Sequence, residues 1–136
     1  MDDVVINKAA IIERCIRRIL EEYNGKETVW RENFTVQDSI ILNLQRACEA
    51  SIDLANLVVK KRKLGVPQNS RDSFDLLTKA AIIPEPLTVA MKHMVGFRNL
   101  AVYEYQSLNL DVIESIILYN LKDFEAYIKA IIQSET

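Results

Sequence analysis

Apolar residues recur along this chain at spacings of three and four through nearly its whole length, and that periodicity leaves few folds open to it. Val5, Ala9, Ile12, Ile16, Ile19 and Tyr23 form one stripe, which the Asn24-Gly25 turn signal ends. From Val36 two stripes run side by side: Ile40, Leu44, Ala47, Ser51, Leu54 and Val58, with Ile41, Cys48, Ile52, Ala55 and Val59 beside them. A helix of about 25 residues that is apolar over so much of its circumference is expected to be central, with surface for several helices and a second subunit. Thr35 and Asp38 form a weak capping pattern at its start, and Leu64-Gly65-Val66-Pro67 punctuates its end. Gln68 to Asp72 reads as a polar loop, and Phe74, Leu77 and Ala81 line a short helix closed by Pro84 and Pro86. From about Glu85 a further helix turns Leu87, Ala90, Met91, Met94, Phe97 and Ala101 inward. A capping-box pattern at Asp111 and Glu114 opens the last stripe, Ile113, Ile117, Leu121, Phe124, Ile128 and Ile131. Trp30, the one tryptophan, lies in an irregular connector and reads as an anchor onto the core. Three Gly and three Pro in 136 residues leave little material for tight turns or disorder. The expectation is an all-α, up-and-down bundle of four long helices and one short helix, forming a single domain over residues 1–136.

Several function classes are disfavoured. The net charge of −2 supplies no global attraction to nucleic acid, so contact with RNA would rest on local clusters and DNA binding is not expected. Arg14, Arg17 and Arg18 read as a solvated helix face, and Lys60, Lys61, Arg62 and Lys63 complement a helix C-terminus. Cys15 and Cys48 lack metal-ligand spacing and read as small buried hydrophobes, which suits a reducing cytoplasm. No run is long enough to cross a membrane, and the Met-Asp-Asp start is unlike a signal peptide. With His93 as the only histidine, a zinc site or a serine triad has no adequate set of ligands, and His93 reads as a helix-surface or interface residue. Gly25, Gly65 and Gly96 are too dispersed for a phosphate loop, and no cofactor is implied.

What remains is the octet Arg98-Asn99-Leu100-Ala101-Val102-Tyr103-Glu104-Tyr105, which packs a fixed cation, an amide and two phenols together. The planar fork of Arg98 suits phosphate oxygens. The same residues would also serve as a packed, partly solvated corner at a helix end.

With its preceding residues, Met94-Val95-Gly96-Phe97-Arg98-Asn99-Leu100-Ala101-Val102-Tyr103-Glu104-Tyr105 resembles the signature of the HEPN ribonuclease superfamily, in its HepT-like toxin branch. Asn43 to Ala50, Ile52-Asp53-Leu54-Ala55, Leu64-Gly65-Val66-Pro67 and Ser70-Arg71-Asp72-Ser73-Phe74 resemble the corresponding helix and loop, so the likeness spans nearly the whole chain. By this resemblance Arg98 and Asn99 are the catalytic Arg and Asn, and Tyr103 stands where the family has its catalytic histidine. The resemblance further implies a HEPN-like homodimer that cleaves RNA without metal at a shared cleft. It implies a minimal nucleotidyltransferase antitoxin, of the type called MntA, that transfers AMP to Tyr105.

The substitution at 103 has a chemical consequence. An unperturbed histidine titrates near 6.5 and suits removal of a 2′-hydroxyl proton, whereas a tyrosine near 10 is phenolate in about one molecule per thousand at neutral pH. Weak or absent nuclease activity is expected, unless a cationic dimer cleft lowers the phenol. A non-catalytic helical dimer that docks a nucleotidyltransferase is the alternative reading. Helical geometry adds that Arg98 and Tyr105, seven apart, would share a face, whereas Tyr103 would be turned about 140° from Arg98. Either the helix ends within residues 99–105 or the groups converge across two subunits.

Overall fold

The computed structural model describes residues 2–135, and these form the expected all-helical bundle. Helix α1 spans Asp3–Tyr23, α2 Phe34–Lys61, the short α3 Ser70–Lys79 and α4 Glu85–Tyr103. A last helix, α5, covers residues 110–134 and is built from Leu110–Ser115, a π-helical turn over Ile116–Asn120, and Leu121–Ser134. Four are long and one is short, as the apolar periodicity predicts.

The stripes become the core. Every residue of the first and last stripes is buried, and both stripes of α2 are buried along its length. The wide apolar face of α2 is accounted for by the packing of α1, α3 and α4 around it. Trp30 is fully buried, so the connector is pinned to the bundle as its lone indole suggests.

Local details differ from the sequence expectations. The N-cap of α2 is Asn33, whose side chain accepts from the Val36 amide at 3.1 Å, so Thr35 and Asp38 lie inside the helix and Asp38 is released for another task. Helix α3 begins within the expected loop, because Asn69 caps it by accepting from the Asp72 amide at 2.9 Å. It stops before Ala81, which sits at φ +59° beyond its end and is exposed instead of joining Phe74 and Leu77 in the core. Ala90 of α4 is only half-buried, lying at the rim of a surface groove. The start of α5 is capped by Asn109, which accepts from the Asp111 amide at 2.8 Å.

Glu114, freed from capping, clamps the connector to α5. Its carboxylate accepts from the Tyr23 hydroxyl at 2.9 Å, the Trp30 indole N–H at 2.9 Å and the Arg31 guanidinium at 3.0 Å. The indole bond, then the Tyr23 bond, hold this carboxyl below the usual glutamate range. Burial, followed by the same bond seen from its other end, pushes the Tyr23 phenol up to about 12.

Candidate functional site

Helix α4 carries the motif and runs without interruption through Arg98 to Tyr103; it ends at Glu104, where φ −140° and ψ 48° break the helical path. A single 3₁₀ turn over Tyr105–Ser107 follows. Tyr105 therefore does not share the Arg98 face by helical register. The break turns it toward α2, where its hydroxyl donates to Asp38 Oδ1.

Arg98 is half-buried and held from two sides. Its Nε donates to Asn99 Oδ1 at 3.0 Å, and Nη2 reaches Ser70 Oγ, at the first residue of α3, at 3.5 Å. Among the described residues no carboxylate pairs with it, so its charge is oriented but not neutralised. The guanidinium faces a surface groove of about 320 Å³ between α3 and α4, lined by Asn69, Ser70, Arg71, Val95, Arg98 and Asn99. Arg71 adds a second cation there. Its guanidinium crosses the helix at Gly96, where a Cβ would lie 3.1 Å from Nη2. A cationic wall beside the exposed amide end of α3 can take an anion with oxygen acceptors, such as a phosphodiester.

Tyr103 is 79% exposed, and its hydroxyl bonds to no described residue. Five residues beyond Arg98 on one continuous helix, it points about 140° away, so the two groups do not meet within one protomer. Its face of α4, shared with His93, Gly96 and Leu100, borders a second groove of about 490 Å³ against α5, where Val112 and Ile116 supply the opposite wall. His93 is exposed at that groove. Tyr105 is 45% exposed, and burial together with the bond to Asp38 pushes its phenol up to about 12. Among the described residues, no group of three or more His, Cys, Asp or Glu is placed to hold a metal ion.

The structure thus joins Arg98 to Asn99 and turns Arg98 away from Tyr103 on α4, whereas Asn99 and Tyr103, four residues apart, lie on one face of the helix. Sequence reasoning missed Asp38 as the partner of Tyr105 and Ser70 and Arg71 as neighbours of Arg98. Asp38 is read there as a cap, and no local signal ties residues 67 positions apart. Ser70 and Arg71 enter only as part of the resembling loop.

The all-helical bundle is the fold of HEPN toxins of known structure. The fold matches a tri-AMPylated HEPN toxin from Shewanella oneidensis, solved in complex with its MNT antitoxin, at TM-score 0.92 and 49% identity over 98% of this chain and 99% of that one. A toxin–antitoxin crystal structure with AMP-PNP matches at TM-score 0.93 and 48% identity, covering 97% and 99% of the two chains. The chain belongs to the HepT-like ribonuclease family, whose model matches residues 12–131. It is 50% identical over 131 residues to the mRNA nuclease HepT of Shewanella oneidensis, covering 96% of this chain and 98% of the relative.

Proposed function

We propose that this chain is the ribonuclease toxin of a toxin–antitoxin pair, cleaving RNA without a metal at a cleft between two copies. A MntA-like nucleotidyltransferase neutralises it by transferring AMP to Tyr105. The observation that carries the reading is the Arg98 guanidinium, fixed by Asn99 and Ser70 with no carboxylate spending its charge. A cation held this way stabilises the charge that builds on a phosphodiester as the neighbouring 2′-hydroxyl attacks it. Asn99 is the positioning residue for that fork. The relatives support both halves: one is named an mRNA nuclease, and another was solved AMPylated beside an MNT antitoxin.

The helix geometry supports a second copy. Arg98 and Tyr103 diverge on α4, so the cation of one protomer works with residue 103 of the other. The mostly apolar groove between α4 and α5, with Leu100 and Val112 exposed along it and the buried Ile116 beneath, suits burial against that copy. The protein acts in the cytoplasm, in keeping with two unpaired thiols. An AMP group on Tyr105 adds bulk and negative charge next to the motif and repels RNA.

Tyr103 tempers the activity. A phenol at the general-base position costs about 10²–10⁴ in rate relative to a matched base. The missing histidine also favours a second reading, in which the dimer only docks the nucleotidyltransferase. A purified RNA-cleavage assay tests the choice: Tyr103→His is expected to cleave at least about a hundredfold faster than the present chain, and Arg98→Ala in that background to abolish cleavage. Equal cleavage by both forms refutes the role given to position 103, and no cleavage by either favours docking alone.

A further inference from the structure

Five tyrosines are present, and their surroundings differ in a way that bears on the modification. Tyr23 and Tyr127 are buried, with hydroxyls spent on Glu114 and on the Ser51 carbonyl. Tyr103, Tyr105 and Tyr119 are exposed, at 79%, 45% and 64%. If access alone chose the acceptor, Tyr103 would be the first and Tyr105 the last of these three. Only Tyr105 among them donates its hydroxyl to a carboxylate, that of Asp38 in the second turn of α2.

We propose that Asp38 is a catalytic residue of the modification reaction on the toxin side: it is the general base that deprotonates Tyr105 as the phenol attacks a nucleoside triphosphate presented by the transferase. Asp38 Oδ1 takes the phenolic proton while the oxygen electron pair forms a bond to the α-phosphorus. The bond from that phosphorus to the oxygen bridging to the β-phosphate breaks, and pyrophosphate leaves with the electron pair. Asp38 then passes the proton to water. This is the task an aspartate performs on a substrate hydroxyl in protein kinases. Here the acceptor protein carries it.

The geometry has been prepared by two local events already described. Asn33 takes over the cap of α2 and leaves the Asp38 carboxylate unengaged by backbone, and the helix break at Glu104 swings Tyr105 off the α4 register to meet it. A phenol raised to about 12 supplies almost no phenolate at neutral pH, so attack depends on a base already in contact with the proton. The tie also explains acceptor choice. The Tyr103 and Tyr119 hydroxyls bond to no described residue and have no base, however open they are. Once the ester has formed, the oxygen has no proton to donate, and the new phosphodiester anion lies beside the Asp38 carboxylate. The modified side chain is therefore driven off α2.

The proposal rests on Tyr105 being the acceptor, and the test separates the two. Full-length protein, its cognate transferase, Mg²⁺ and ATP are mixed under single-turnover conditions, and incorporation is followed by intact mass and peptide mapping for wild type, Asp38→Asn, Asp38→Glu and Tyr105→Phe. Asn keeps an acceptor for the Tyr105 hydroxyl but is no base. Asp38→Asn is expected to slow incorporation at Tyr105 by about 10²–10⁴ at neutral pH, with a rate that climbs roughly tenfold per pH unit as phenolate becomes available. Wild type lacks that climb, and Asp38→Glu recovers part of its rate. Thermal midpoint and co-purification with the transferase are expected to match wild type. Asp38→Asn within about threefold of wild type at all pH values overturns the proposal. Loss of transferase binding in Asp38→Asn also overturns it, since Asp38 would then be a docking residue. Wild type left unmodified, or modified on another tyrosine, instead refutes the acceptor assignment on which the proposal rests.

Discussion

Replacing Glu114 by Ala tests whether the connector is held by hydrogen bonds to buried donors or by surface charge. The carboxylate accepts from the Trp30 indole and the Tyr23 hydroxyl, both at 2.9 Å, and those residues are 0% and 5% exposed. A buried donor left without a partner costs about 1–3 kcal/mol, so two orphans sum to about 2–6. The Glu114 side chain itself is 24% exposed, and water entering the space left by Ala restores part of that bonding, which brings the expected loss to the low end, about 2 kcal/mol. For a domain of this size that lowers the thermal midpoint by about 8 °C. Arg31 makes the contrasting case: its pairs with Asp111 at 2.6 Å and Glu114 at 3.0 Å lie in solvent, where screening leaves exposed ion pairs little net effect. Arg31→Ala is expected to move the midpoint by a small fraction of the Glu114 shift. Urea unfolding followed by the fluorescence of Trp30, the sole tryptophan, reads both variants, with the slope unchanged if only stability is altered. The pH dependence has a definite sign. Glu114 is held below its ordinary value in the folded protein, so its contribution is complete above about pH 4.3 and is lost as pH falls through the depressed folded value. A loss of less than about 0.5 kcal/mol in Glu114→Ala, or an equal loss in Arg31→Ala, refutes the reasoning.

Arg98→Lys keeps the charge but not the fork that Asn99 and Ser70 orient, and is expected to lower RNA cleavage in the Tyr103→His background by about 10²–10³ while leaving the thermal midpoint near that of the parent; fluorescence melting and a cleavage time course check both. Cys15 and Cys48 are 3% and 0% exposed, and burial pushes both thiols up, so neither is expected to react with a thiol reagent at neutral pH until the chain is unfolded. Ala81→Gly relieves a left-handed residue at φ +59° after α3, and is expected to raise stability by about 1 kcal/mol in urea titration.

The order of helices was readable because helical periodicity is a local property: residues three and four apart share a face whatever packs on it. The stripes of α1, α2 and α5 are all buried, and the Gly25 turn at φ +85° falls where Asn24-Gly25 ends the first stripe. Capping was less legible. Thr35 with Asp38 and Asp111 with Glu114 look like caps, yet Asn33 and Asn109, two positions upstream in each case, do the work. Competing cap residues differ by a few tenths of a kcal/mol, and tertiary contacts decide among them.

By itself the sequence determined the helical class, the residues of the core, and the presence of an arginine and two tyrosines on one short segment. Only the tertiary structure decided what those polar groups do. Arg98 meets Ser70 across 28 residues, Tyr105 meets Asp38 across 67, and Glu114 meets Trp30 across 84. Such pairings depend on how helices cross and where one of them breaks, and no spacing rule within a helix encodes them. The same register that made the bundle legible also turns Arg98 and Tyr103 apart on α4.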